Sequence, residues 1–137
     1  MKHVIFCVML FFSMACAGQN IYNASGNYRG RVDKECRFYN QSGNYRGRVD
    51  NNGRIYDGSG SYKGRMADEY VYNANGSLVG RYRDSRVYSS DGSYEGTLRD
   101  GRVYDSNGRY LGRAENVDSR IVMLLFFFDF CDMEVMY

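Results

Sequence analysis

Proline and tryptophan are absent from this 137-residue chain, and its only histidine is His3. Lacking histidine beyond that position, the body of the chain has neither the commonest general base nor the commonest metal ligand. Missing proline suits a chain built of paired strands and tight turns. Charge of one sign is also scarce: 18 basic against 16 acidic side chains leave +2, no strong footprint for nucleic acid. The apolar runs Val4–Phe12 and Ile121–Phe128 are too short to span a bilayer as helices. The length suits one domain.

The start of the chain reads as a secretory signal peptide over residues 1–17. Lys2 and His3 form its basic region, Val4–Phe12 its apolar region, and Ala15-Cys16-Ala17 its cleavage site. Lipoprotein processing at Cys16 is the weaker alternative, because Ser13 stands where a leucine-like residue is expected. Cleavage after Ala17 leaves two cysteines, Cys36 and Cys131. In an oxidising compartment they can form one disulfide, or remain two buried or free thiols. Two cysteines without histidine do not make a zinc site, so no metal or cofactor is expected.

What the chain has in abundance is glycine, 16 residues, and tyrosine, 14. Self-comparison explains both. Tyr22, Tyr39, Tyr56, Tyr72, Tyr88 and Tyr104 recur at spacings of 17, 17, 16, 16 and 16. Gly26, Gly43, Gly60, Gly76, Gly92 and Gly108 keep step, as do Gly30, Gly47, Gly64, Gly80, Gly96 and Gly112. A second aromatic follows in every unit except the fourth, which has Leu78. Each unit has the chemistry of a β-hairpin. Arg54-Ile55-Tyr56 and Tyr62-Lys63-Gly64-Arg65-Met66 are strand-forming, and Asp57-Gly58-Ser59-Gly60 supplies a type I turn with a glycine bulge.

The sequence therefore predicts an all-β fold: six tandem hairpins of 16–17 residues in a twisted meander over residues 18–116. The turns pair Tyr56 with Tyr62 and Val49 with Ile55. In a flat sheet that register puts Gly64 and Met66 on the tyrosine face, and makes the tyrosines change faces from one hairpin to the next. Bulges and closure around a pseudo-symmetry axis remove the conflict, with aliphatics inward and tyrosines over the bare backbone of Gly30, Gly47 and their equivalents.

The units Ile55-Tyr56-Asp57-Gly58-Ser59-Gly60-Ser61-Tyr62-Lys63-Gly64-Arg65 and Val103-Tyr104-Asp105-Ser106-Asn107-Gly108-Arg109-Tyr110-Leu111-Gly112-Arg113 resemble the repeats of bacterial β-flower proteins, the five-fold kind in particular. The likeness covers roughly residues 19–116. It implies an exported bacterial protein with hairpins set like petals around an axis, and no catalytic residues to carry over. Leu78, Tyr70, Thr97 and the link Asp33-Lys34-Glu35-Cys36 depart from the pattern, and six hairpins leave open whether five or six petals close the ring. Shorter stretches are similar to MORN and YD repeats, which run at longer periods.

Residues 117–137 break the repeat. They carry Arg120 against Asp118, Asp129, Asp132 and Glu134, and the run Ile121–Phe128 reads as a buried hydrophobic strand or plug of the ring. An exposed, aggregation-prone or membrane-touching end is the alternative. The acids sit mostly in turns, where capping explains them. The Asp-x-x-Gly turns lack a calcium ligand set, and no helix follows any glycine-rich segment to make a phosphate cradle.

The sharpest polar signal is Arg-Gly-Arg. Arg29/Arg31, Arg46/Arg48 and Lys63/Arg65 flank their glycines. They form either a basic aromatic surface for sugars or anionic polymers, or a solvated face whose arginines pair with turn aspartates. The expected function is a non-catalytic binding or interaction module at the bacterial envelope, meeting glycan or protein. The alternative is a structural protein that self-assembles through its tail.

Overall fold

The structure, a computed structural model, describes residues 19–136. Residues 1–17, read above as a signal peptide, and with them Cys16, lie outside the described residues. Twelve strands run in hairpin pairs: β1 (Asn20–Asn23) and β2 (Tyr28–Val32), β3 (Arg37–Asn40) and β4 (Tyr45–Val49), β5 (Arg54–Asp57) and β6 (Tyr62–Ala67). Then follow β7 (Tyr70–Asn73) and β8 (Leu78–Arg83), β9 (Arg86–Ser89) and β10 (Tyr94–Arg99), β11 (Arg102–Asp105) and β12 (Tyr110–Ala114). Each strand pairs antiparallel with the next, and β12 pairs with β1 through Ile21↔Ala114 and Tyr22↔Arg113. Six petals thus close a barrel with no free edge.

The petal turns follow from their side chains. Asp57 Oδ1 accepts from Ser59 N and Ser61 N, both at 3.0 Å, and Gly60 N donates to Asp57 O at 3.0 Å. Asn23, Asn40, Asn73 and Asp105 make the same pair of bonds in their petals. Gly60 sits at φ +90°, the left-handed position that closes this turn. The change of period lies wholly in the links. Asp50–Gly53 joins β4 to β5, with Asp50 N donating to Arg54 O, whereas the pair Ala67↔Tyr70 leaves only two link residues.

Tyr56↔Tyr62 and Val49↔Ile55 pair as the turns require, but Gly64 pairs with Ile55 across a register shift. Lys63 is the extra residue of a bulge, and all six petals carry the same shift. The bulge corrects the expected facing: Gly64 and Met66 turn inward with Ile55, while both tyrosines stay outside. Gly64 takes φ +154° there, a conformation side chains rarely adopt. The barrel interior is then a uniform apolar wall, with Ile21, Phe38, Ile55, Val71, Val87 and Val103 all buried.

The lumen is filled by the end of the chain. After β12, α1 (Ser119–Met123) enters, with Asp118 at its N-cap accepting from Arg120 N at 2.8 Å. It passes directly into a π-helical turn, Leu124–Phe128, ended by Asp129 at φ 33°. The expected C-terminal strand is therefore a helix. A segment inside a closed barrel finds every strand edge already paired, so its own N–H and C=O groups must bond within it.

The plug reads the petals in reverse. Phe126 lies on Gly112, Phe127 on Gly96, Phe128 on Gly80, Cys131 on Gly47 and Met133 on Gly30. The repeat glycines thus face the plug, and not the tyrosines as expected. A side chain at any of these five would collide with the plug and with a strand carbonyl behind it. The bulge residues match this asymmetry. Val79 and Leu111 pack against the core beside the phenylalanines. Arg46 instead donates to Cys131 O at 3.4 Å and Asp132 O at 3.2 Å, and Arg29 donates to Glu134 O at 3.2 Å.

Candidate interaction surface

The outer wall is set by register. Arg31, Arg48, Arg65, Arg81 and Arg113 each stand opposite the first tyrosine of the following petal. Their guanidinium groups stack on those rings: Arg31 on Tyr39 at 4.2 Å, Arg48 on Tyr56 at 4.7 Å, Arg65 on Tyr72 at 4.9 Å and Arg81 on Tyr88 at 5.2 Å. Arg113 on Tyr22, at 4.0 Å, carries the series across the closure. The fifth petal has Thr97 at this place, and Arg99, two residues on, lies over Tyr104 at 4.8 Å instead.

Within petals the two tyrosines pair edge-to-face or tilted, from 5.8 Å for Tyr104–Tyr110 to 6.2 Å for Tyr22–Tyr28. In the fourth petal Leu78 leaves Tyr72 to meet Tyr70, at 6.5 Å. Tyr28, Tyr45, Tyr62, Leu78 and Tyr94 are 38–40% exposed, so one apolar side chain per petal faces solvent around most of the barrel.

Stacking occupies a face of a guanidinium and leaves its in-plane N–H donors available. Among the described residues the guanidinium groups of Arg31, Arg48, Arg65, Arg81 and Arg99 make no hydrogen bond or ion pair, and Arg81 Nε is buried without a partner. Arg113 differs, held by Glu115 at 2.7 Å, which raises its pKa. Turn aspartates are engaged elsewhere. Asp57 bonds Ser59 and Ser61, which lower its pKa, and Ser89 with Ser93 holds Asp91 down at about 2. The expected pairing of repeat arginines with turn aspartates across hairpins is not what the wall contains.

Nor do the Arg-Gly-Arg pairs form one face. The bulge sends Arg29 and Arg46 to the plug's end, beside a cavity of about 260 Å³ lined by Asn40, Gln41, Ser42 and Asp132, while Arg31, Arg48 and Arg65 join the outer wall. Lys63 sits at the bulge of the third petal and makes no ion pair among the described residues. Sequence reasoning passed over Arg54, Arg81, Arg99 and Arg102. For Arg54 and Arg102 the signal was present in Arg54-Ile55-Tyr56 and Arg102-Val103-Tyr104, where an arginine precedes the inward aliphatic by one residue. For Arg81 it was present in Gly80-Arg81, which repeats Gly30-Arg31.

Cys131 is a buried free thiol. Its Sγ lies 3.4 Å from Tyr56 O, and burial, with Asp57, Asp129 and Asp132 adding to it, pushes its pKa up to about 12. The Cys36–Cys131 bridge is therefore not formed: Cys131 is turned onto Gly47, while Cys36, in the β2–β3 link, bonds elsewhere. Among the described residues no cluster of His, Cys, Asp and Glu could hold a metal ion, and no helix is long and apolar enough to cross a membrane.

A six-petalled barrel of Tyr-turn-Tyr-x-Gly hairpins, bulged at every return strand, invites comparison with known families. A family model described as 5-fold beta-flower protein matches residues 18–130. The chain belongs to that family. This β-flower closes with six petals, and the match includes most of its plug. No curated protein and no solved structure matches the chain.

Proposed function

We propose that this β-flower is an exported, non-catalytic binding module of the bacterial envelope, and that its Tyr/Arg outer wall meets an envelope glycan. One observation carries the reading: five guanidinium groups are oriented by tyrosine stacking yet make no ion pair or hydrogen bond, beside exposed tyrosines. Oriented but unengaged donors next to aromatic faces are what recognition of a hydroxyl-rich, partly anionic polymer needs. Export is supported by the signal-like residues 1–17. Burial of Ile121–Phe126 leaves the alternative, assembly through the tail, little apolar surface to use. A glycan array tests the reading. Saturable binding that falls in the triple variant Arg31→Ala, Arg48→Ala, Arg81→Ala supports it, and an array blank for the wild-type protein rejects it.

A further inference from the structure

The register places arginine opposite arginine. Arg37 faces Arg48, Arg54 faces Arg65, Arg83 faces Arg86, Arg102 faces Arg113 and Arg99 faces Arg102. Like charges directly opposite on an antiparallel ladder destabilise it, so such pairs call for a counter-charge. Three of the five have one within the protein. Asp33 at 2.8 Å and Glu35 at 2.7 Å hold Arg37, Glu115 holds Arg113, and Glu69 and Asp84, each at 3.9 Å, lie on Arg83. Arg54/Arg65 and Arg99/Arg102 have none: no ion pair or side-chain hydrogen bond reaches these guanidinium groups among the described residues. All four of these arginines are exposed.

Each open pair sits beside an aromatic. Arg65 stacks on Tyr72 at 4.9 Å, and Arg99 on Tyr104 at 4.8 Å. Across the strands one row therefore runs Arg54, Arg65, Tyr72, Leu78, with steps of about 4.8 Å set by strand spacing. A pyranose ring is about as long as one such step. An acidic sugar set on the arginine pair would put its neutral neighbour beside the tyrosine, whose hydroxyl can bond ring hydroxyls.

We propose that the open pairs Arg54/Arg65 and Arg99/Arg102 are the acidic-group subsites of this wall, and that their ligand is a glycan in which carboxylated and uncharged sugars alternate. The inference rests on the glycan-binding reading above and narrows it to a charge pattern. It also explains why an unfavourable pair persists at an exposed place where glutamate would make a cross-strand ion pair.

The test is titration of hyaluronan fragments, with alternating carboxylated and neutral sugars, against dextran, which is uncharged, and poly-glutamate, which carries carboxylates without sugars. Arg54→Glu and Arg102→Glu should each weaken hyaluronan binding by about tenfold or more, since a charged hydrogen-bond pair is lost. Thermal stability should hold or rise, because each variant turns a repulsive pair into an attractive one. Arg54→Gln should weaken binding without the added ion pair, which separates loss of the site from any change in folding. Unchanged hyaluronan affinity in the glutamate variants overturns the proposal. Dextran binding as tightly as hyaluronan overturns it while leaving a glycan-binding module standing, and equal poly-glutamate binding removes the sugar from it. Failure of every glycan to bind the wild-type protein removes both readings.

Discussion

Phe127 lies against Gly96 so closely that a methyl group on that glycine would come within 2.6 Å of its ring Cζ. The carbonyl of Tyr104 closes the space from the other side. Gly96 takes no positive φ that would favour glycine, so space alone fixes the residue. Five glycines of the second in-step set are thus slots cut to the plug, one petal at a time, and only Gly64 has no plug atom among its nearest neighbours.

Gly96→Ala should therefore destabilise the barrel by overpacking, by about 3 kcal/mol. Adding Phe127→Ala should recover only part of that loss, because the Tyr104 carbonyl stays in place. Chemical denaturation of the single and double variants measures both.

Gly60 makes the contrasting case. Nothing lies within 4 Å of a Cβ there, but its φ is +90°. Gly60→Ala should cost about 1–2 kcal/mol through the left-handed backbone alone, and Gly60→Asn less, since asparagine enters that region more readily. Equal losses for the two variants would argue against a purely conformational cost.

Asp118 should make a contribution to stability that declines as pH rises, opposite in sign to those of Asp57 and Asp91, whose pKa values are lowered. Partial burial raises the pKa of Asp118 above 3.8, so the folded chain binds its proton more tightly than the unfolded chain does. That advantage is present at low pH and is lost as the pH climbs from near 3.8 through the folded-state value. Asp118→Asn keeps an N-cap acceptor without the buried charge. It should raise the melting temperature at pH 7 and flatten the decline, and an unaltered pH profile would assign the effect elsewhere.

Cys131 should resist alkylation in the native protein, because its thiol is buried and its pKa is about 12. Iodoacetamide at pH 8 should modify it only as fast as the plug leaves the lumen. Labelling should accelerate steeply with denaturant, in step with loss of far-ultraviolet β signal.

Removing residues 119–137 should prevent cooperative folding, since six petals without the plug enclose an empty apolar lumen. Circular dichroism of the truncated chain should show no sharp thermal transition. Restoring the segment as a separate peptide should bring one back.

The hairpins were legible in the sequence because turn chemistry is local: Asp57, Ser59 and Gly60 specify their turn within a few residues. Closure was legible from the repeat itself, since a short meander would leave edges exposed. The direction of Gly64 was not, because a single bulge residue, Lys63, reverses every side chain after it. Nor was the plug's conformation. An apolar run of eight residues fits a buried strand or a buried helix equally, and only the absence of a free edge decides. The wall's arginines were seen in part. Arg31, Arg48 and Arg65 stood out beside glycine, whereas Arg54 and Arg102 gain meaning only once their cross-strand neighbours are known.

The order of the parts along the chain sets an order of assembly. The petals come first and the segment that fills them comes last, while the strand that seals the ring, β12, meets β1 from the opposite end of the array. A chain emerging from a ribosome, or drawn N-terminus first through a narrow channel, would hold most of its hairpins before it held a core. Commitment to the folded state then waits for the plug that follows β12, so that its arrival acts as the latch.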